Sequence, residues 1–348
     1  MRFPRMAAFL LSAAAFGCGG GHSDDAANAS PSGEFVLVGV HPGAAQQSTA
    51  QGRTLAALQP FGPLLYFGYG DYTANTGPIQ IIPYDPAQDA FLASAGASDT
   101  EAIFGFREIG GELWAPAIDP KVSADFAVIG ADGSWEDRDV VVSTHVFDAA
   151  QLGSDIFLVG SLGKYAVVWK SADGGETFQF SMSLLPASGV TDDFARFYFA
   201  GVHGGKLHVQ AVDYFGGPQP GSRVFDGTGW SNGPDLLPLG GAGWHPVGFA
   251  GRMVYLTLGA GHGPSRLLAF DGAQAGAVVS WSVYDIAVSG ARLYALAVDG
   301  RVMRTEDLVS WEEIASAPSG SRSIAVQAGM LHVGATEARL FRFTQPVD

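Results

Sequence analysis

Val167-Val168-Trp169-Lys170-Ser171-Ala172-Asp173-Gly174-Gly175-Glu176-Thr177-Phe178 runs an apolar strand into a tight turn and out into a second strand. The turn has the form Ser-x-Asp-x-Gly-x-Thr-aromatic. A carboxylate in such a turn folds back onto backbone N–H groups, so Asp173 is expected to tie the loop together while Gly174 and Gly175 supply positive φ angles. Thr177 restarts the strand, and Phe178 places a ring beneath the turn. Ser171, Asp173, Gly175, Thr177 and Phe178 are therefore read as structural.

Degenerate forms of this hairpin recur on both sides of it. They are Ala131-Asp132-Gly133-Ser134-Trp135, Phe225-Asp226-Gly227-Thr228-Gly229-Trp230 and Thr305-Glu306-Asp307-Leu308-Val309-Ser310-Trp311, while Phe270-Asp271-Gly272 keeps the Asp-Gly and meets its tryptophan, Trp281, later. Asp307 and Trp311 are assigned the same structural roles as Asp173 and Phe178. A second motif, a small-residue turn leading into a short apolar strand, is anchored at Leu65, Leu113, Ile156, Leu207, Val254, Leu293 and Leu331, with 38 to 51 residues between anchors. Seven units of that size match four-stranded blades. The composition agrees: 48 Gly, 23 Phe, 10 Tyr and 7 Trp with only 15% charged residues suit short strands and tight turns, and no window beyond the N-terminus sustains helical spacing for three turns.

The expected fold is all-β, a single seven-bladed β-propeller over residues 34–348. The last unit offers an inner strand near Ser323–Val326, a second at Leu331–Gly334 and a third at Arg339–Phe343, and then the chain stops. Glu34-Phe35-Val36-Leu37-Val38-Gly39-Val40 supplies the missing outer strand, so the N-terminal strand is expected to pair with the last blade and close the ring, removing an exposed edge.

The full eight-residue hairpin resembles the Asp-box of BNR-repeat β-propellers in the sialidase-like superfamily. The resemblance implies the propeller fold and says little about activity, because the box is a staple there. Sialidases hold a substrate carboxylate with three arginines and use a Tyr–Glu nucleophile pair with an Asp acid/base. Their Arg-Ile-Pro motif is absent here, so no catalytic residue is carried over; Arg196, Arg223, Arg252, Arg266, Arg292 and Arg301 mostly start or flank strands and read as rim charges.

Residues 1–17 read as a leader, with Arg2 and Arg5 before a short apolar run. Ala15-Phe16-Gly17-Cys18 resembles the lipobox of a bacterial lipoprotein, departing from it at Ala15 and Phe16; lipidation at Cys18 is the expectation, and a secretory leader with an incidental cysteine the alternative. Gly19 after the cysteine implies the outer membrane, by resemblance to sorting rules. Residues 18–33 read as a flexible tether. Cys18 is the only cysteine, so no internal disulfide holds the fold. The chain carries a net charge of −15. That argues against nucleic-acid binding, which needs a basic surface, and a monomer is expected.

In a meandering blade with strands A to D from the inside out, the A–B and C–D turns share one face and the B–C and D–A connections the other. Loops on rigid scaffolds carry binding sites. The longest B–C loop, Gly68 to Pro78, gathers Tyr69, Asp71, Tyr72 and Asn75. Comparable loops supply Asp119, Asp213 with Tyr214, and His262, and a D–A loop supplies Trp244. These residues suit hydrogen bonding and stacking on a glycan or peptide. Tyr rings covering the rim of an Asx-turn loop are the plainer reading. The histidines show no zinc spacing, His208 and His332 read as packing or rim residues rather than ligands, and Asp192-Asp193 reads as a solvated acidic pair. No metal or cofactor is expected. The function expected is a non-enzymatic envelope module that binds a glycan, peptide or partner protein. The alternatives are a hydrolase or lyase built from Asp71, Tyr72, Asp119 and Asp213, and an assembly factor for a membrane complex.

Overall fold

Short runs of β-branched and aromatic residues between glycine turns fold as seven four-stranded antiparallel sheets among the described residues, five of them simple meanders. The structure is a computed structural model describing residues 33–119, 125–215, 220–258 and 263–347. The leader, Cys18, nearly all of the tether and His262 lie outside the described residues.

The ring closes as the strand count requires. Ser321–Gln327, Met330–Ala335 and Arg339–Pro346 form the three inner strands of the seventh blade, and Phe35–Val40 is its outer strand. The register places Phe35 opposite Phe343 and Val40 opposite Arg339, with a bulge between Leu37 and Gly39. Phe35 and Phe343 meet with ring centroids 5.2 Å apart. Immediately after this strand, the buried His41 Nδ1 accepts the Ala44 N–H at 3.0 Å, so its Nε2–H donates to the Ile82 carbonyl at 3.0 Å and pins the N-terminal segment to blade one. Blade one departs from the simple meander by an added two-stranded ribbon, Ile79–Ile81 with Gly96–Ser98.

The opening hairpin folds as its chemistry dictates. Asp173 Oδ1 accepts the Thr177 N–H at 3.0 Å and Oδ2 the Thr177 hydroxyl at 2.5 Å, while Ser171 Oγ accepts the Gly175 N–H at 2.9 Å. Gly175 has φ +95°, and a Cβ there would stand 2.6 Å from the Trp114 ring of the preceding blade. Trp114 is fully buried and stacks on Phe126 at 4.4 Å, with Phe178 set edge-on to Phe126 at 6.2 Å. The hairpin of blade three thus presses onto the core of blade two.

The other C–D turns use the same carboxylate-to-backbone bonds. Asp132 accepts from Ser134, Asp226 from Thr228 and Gly229, Asp271 from Ala273 and Gln274, and Asp307 from Val309 and Ser310, at 2.8 to 3.0 Å. Blade one carries one more, Asp85, which accepts the Ala87 N–H at 2.8 Å. Its turn lacks a glycine, and Asp89 takes the left-handed position instead, at φ +52°. That substitution hides the turn from a search for Asp-Gly.

Candidate functional site

Bulges in the inner strands build the floor of the loop face. In blades three, four, five, six and seven the pairing of strand A with strand B slips by one or more residues at a corresponding height. The skipped residues include Phe147, Tyr198, His245, Tyr284 and Arg322. Phe147 and Tyr198 lie with ring centroids 4.6 Å apart, and the Arg322 guanidinium sits 4.3 Å over Tyr284.

The residue after a bulge clasps the next blade. Asp148 Oδ2 accepts the Ala200 N–H of blade four at 2.9 Å, and Asp285 Oδ2 accepts the Ile324 N–H of blade seven at 2.9 Å. Ser323 Oγ donates to the Leu55 carbonyl ahead of blade one at 2.7 Å. Arg107 adds a bidentate pair to Asp148 at 2.7 and 2.8 Å, and its Nη1 donates at 2.9 Å to the Pro246 carbonyl of blade five. This bridge links blades two, three and five, and Arg107 and Pro246 also line a cavity of about 170 Å³ between the inner strands. Asp148→Ala leaves Arg107 without its partner and the Ala200 N–H unmet. A loss of about 3–5 kcal/mol is expected, measured by urea unfolding.

Trp244 packs against the small cluster of Ala102, Phe104 and Ile118, as Phe147 does, and also lines a groove of about 360 Å³. Tyr284, Arg322, Ser265, Thr54 and Gln51 complete that groove. Arg322 donates to the Ser321 carbonyl at 2.8 Å, which fixes the guanidinium over Tyr284. A second cluster occupies blades two to four. The Arg196 guanidinium lies 4.5 Å from the Phe194 ring, which stacks on Tyr214 at 4.4 Å. Arg196 Nη2 is 2.9 Å from His145 Nε2. A guanidinium only donates, so Nε2 accepts and Nδ1 carries the proton toward Asp119 Oδ1, 2.6 Å away. Burial works against charge on Asp119, but the His145 hydrogen bond and the neighbouring Arg196 hold its carboxyl below the usual range. Tyr72 shares this space: burial first, then Tyr198, Tyr214, Asp71 and Asp119, push its hydroxyl up.

No protein family and no curated protein matches the chain in sequence. Solved structures match its fold. A catalytically inactive virginiamycin B lyase from Staphylococcus aureus, with quinupristin, is 9% identical with a TM-score of 0.56, covering 90% of this chain and 100% of that one. YCF48 from Cyanidioschyzon merolae is 9% identical at 0.51, covering 89% and 98%. The WD40 propeller domain of Doa1 is 12% identical at 0.51, covering 89% and 97%. At these identities the likeness is one of fold: this chain is a seven-bladed β-propeller.

Several expected site residues have structural positions. Tyr69 is fully buried, and its hydroxyl donates to the Gln80 carbonyl at 2.9 Å. Asp71 is buried and accepts from the hydroxyls of Thr49 at 2.8 Å and Thr73 at 2.6 Å, which outweigh burial and hold its carboxyl below the usual range. Asn75, at φ +51°, turns its amide to Glu101. Asp213 is buried with one oxygen on the Ala187 and Ser188 N–H groups. Trp244 lies within the inner strand Ala242–Phe249 rather than on a D–A loop, because the strand starts early and bulges there. Tyr72, Asp119, Tyr214 and Trp244 remain at the surface of the loop face. Arg322, Tyr284, His145 and Arg196 were not picked out as site residues. The matching Val146-Phe147-Asp148 and Val283-Tyr284-Asp285 in two inner strands are the signal that marks the bulges.

Proposed function

We propose that this chain is a lipid-anchored module of the bacterial envelope, of the Asp-box type, that binds a glycan on its loop face without chemically altering it. The groove of Trp244, Tyr284 and Arg322 carries this reading. It offers the Trp244 ring as an apolar wall for a sugar ring, with the Arg322 guanidinium over Tyr284 and nearby hydroxyl and amide groups for its hydroxyls, in a volume typical of small-ligand sites. The hydrolase reading finds less support. Of its three carboxylates, Asp71 and Asp213 are buried and already accept from neighbouring groups, and Asp119 is committed to His145. Lipid attachment at Cys18, with outer-membrane residence, rests on the leader and the thiol that ends it.

Glycan-array screening of the mature protein, followed by calorimetry on the best ligand, tests the reading. Tyr284→Ala and Arg322→Ala are each expected to weaken binding about tenfold or more while leaving the melting temperature within a few degrees. Turnover of chromogenic glycosides, abolished by Asp119→Asn, would favour the hydrolase instead. Retention of Cys18→Ser in the membrane fraction of the producing cell would overturn the anchor.

A further inference from the structure

Two buried carboxylates lie beneath the Tyr214–Phe215 corner of the loop face, and each has an oxygen for which the described residues supply no hydrogen bond. Asp193 is 0% exposed and Asp213 2%. Asp193 Oδ1 accepts the N–H groups of Phe194 at 2.8 Å and Phe215 at 3.1 Å. Asp213 Oδ2 accepts those of Ala187 at 2.8 Å and Ser188 at 3.1 Å. Among the described residues, Asp193 Oδ2 and Asp213 Oδ1 are left buried and without a hydrogen-bond partner. The segments are interlocked: the Tyr214 N–H donates to the Phe194 carbonyl at 3.0 Å, and the Asp193 N–H to the Val190 carbonyl at 3.2 Å.

An unpaired buried carboxylate oxygen is unfavourable, and two charged groups of one sign close together are worse. Burial first, and the nearby Asp193 charge with it, raises the Asp213 carboxyl. The cations of these loops are engaged elsewhere. Arg196 is given to His145 and the aromatic rings, and Lys164 donates to the Thr191 carbonyl. Neither makes an ion pair with Asp193 or Asp213.

We propose that Asp193 Oδ2 and Asp213 Oδ1 hold a divalent cation of the Ca²⁺ class between the two loops. The donors are hard oxygens, which suits Ca²⁺ and not an imidazole- or thiol-seeking metal; the Ser188 hydroxyl, which donates to the Asp193 carboxylate and helps hold it charged, adds an oxygen beside them. Among the described residues no third acidic, histidine or cysteine side chain completes a set. The other positions therefore fall to hydroxyl, carbonyl and water oxygens, and the affinity belongs with extracellular modules, at a Kd of roughly 10⁻⁴–10⁻³ M. The cation would fasten the loop bearing Phe194 to the loop bearing Tyr214 and Phe215, setting one wall of the loop face independently of the ligand groove.

Thermal melts of the mature protein in EGTA, 10 mM CaCl₂ and 10 mM MgCl₂ at equal ionic strength test this. Ca²⁺ is expected to raise the melting temperature by about 2–3 °C over EGTA, with Mg²⁺ giving less than half of that. Asp193→Asn and Asp213→Asn keep an oxygen for the backbone N–H groups and should each abolish the rise, melting no lower than wild type in EGTA. Tb³⁺ luminescence excited through the neighbouring Tyr214, displaced by Ca²⁺ and lost in either variant, gives a direct readout. Identical wild-type melts in EGTA and Ca²⁺ would overturn the site and leave a proton shared by the two acids. An equal response to Mg²⁺ would also overturn it, as screening of the chain's excess negative charge, as would a Ca²⁺ response that survives in both variants. Should a variant fail to fold, the wild-type comparison still decides.

Discussion

Deleting Phe35–Val40 is expected to lower the melting temperature by about 10 °C or more and to make the protein aggregate as it unfolds. The strand contributes the outer ladder of blade seven, paired from Phe35 with Phe343 to Val40 with Arg339. Each backbone hydrogen bond is worth about 1 kcal/mol net, and Phe35 and Val38 add apolar burial against the cores of blades seven and one. The total is on the order of 5 kcal/mol, a large share of the 5–15 kcal/mol that holds an ordinary domain together. The deletion also strips the partner from Arg339–Pro346 and presents its unpaired N–H and C=O groups to other chains. Differential scanning calorimetry with light scattering measures both effects, and a melt unchanged from wild type would contradict the closure.

Acid should destabilise the ring well before its carboxylates titrate. His41 and His332 are fully buried, and burial drives each from its ordinary value down to about 4. Because the folded value lies below the unfolded value of about 6.5, the unfolded chain binds more protons between these limits. The stability held by the neutral rings is complete above about pH 6.5 and is lost as pH falls toward 4. Each histidine contributes roughly 2–3 kcal/mol over that window. Melting temperatures recorded from pH 7 to 4 should therefore drop by about 10 °C, and His332→Phe, in a pocket shared with the Tyr84 ring, should remove about half of the slope. A flat profile over that window would refute the argument. The C–D turn acids act lower. Side-chain and backbone bonds from Thr228 hold Asp226 down to about 2, and those from Thr177 depress Asp173 further. Their contribution is present above about pH 4 and lost as pH falls through 2.

The blade series was legible because a propeller repeats its physics locally. A strand, a glycine turn and an Asp-and-aromatic hairpin each need only neighbours within a dozen residues, so their chemistry recurs along the chain at blade spacing. The site was much less legible. Asp71 and Asp213 have the residue type and loop position of ligand-binding groups, yet both are buried and accept hydrogen bonds from their own and neighbouring loops. Asp192-Asp193 reads as a solvated pair, but Asp193 is wholly buried. Tyr284 and Arg322 sit in what looks like unbroken strand sequence, and only the bulges turn them into the groove.

From sequence alone came the number of four-stranded blades, the strand that completes the last of them and the role of Asp173 in its turn, since these depend on chain-local bonding and on counting strands; the extra ribbon of blade one was not among them. Tertiary structure alone decided which side chains share a space between neighbouring strands and loops, as with Arg107 and Asp148, Trp244 and Tyr284, or Asp193 and Asp213. Those encounters join residues 20 to 41 positions apart, in neighbouring blades or on two loops of one blade, beyond the reach of a single turn, and a one-residue slip of an inner strand is enough to turn a side chain from the core to the groove.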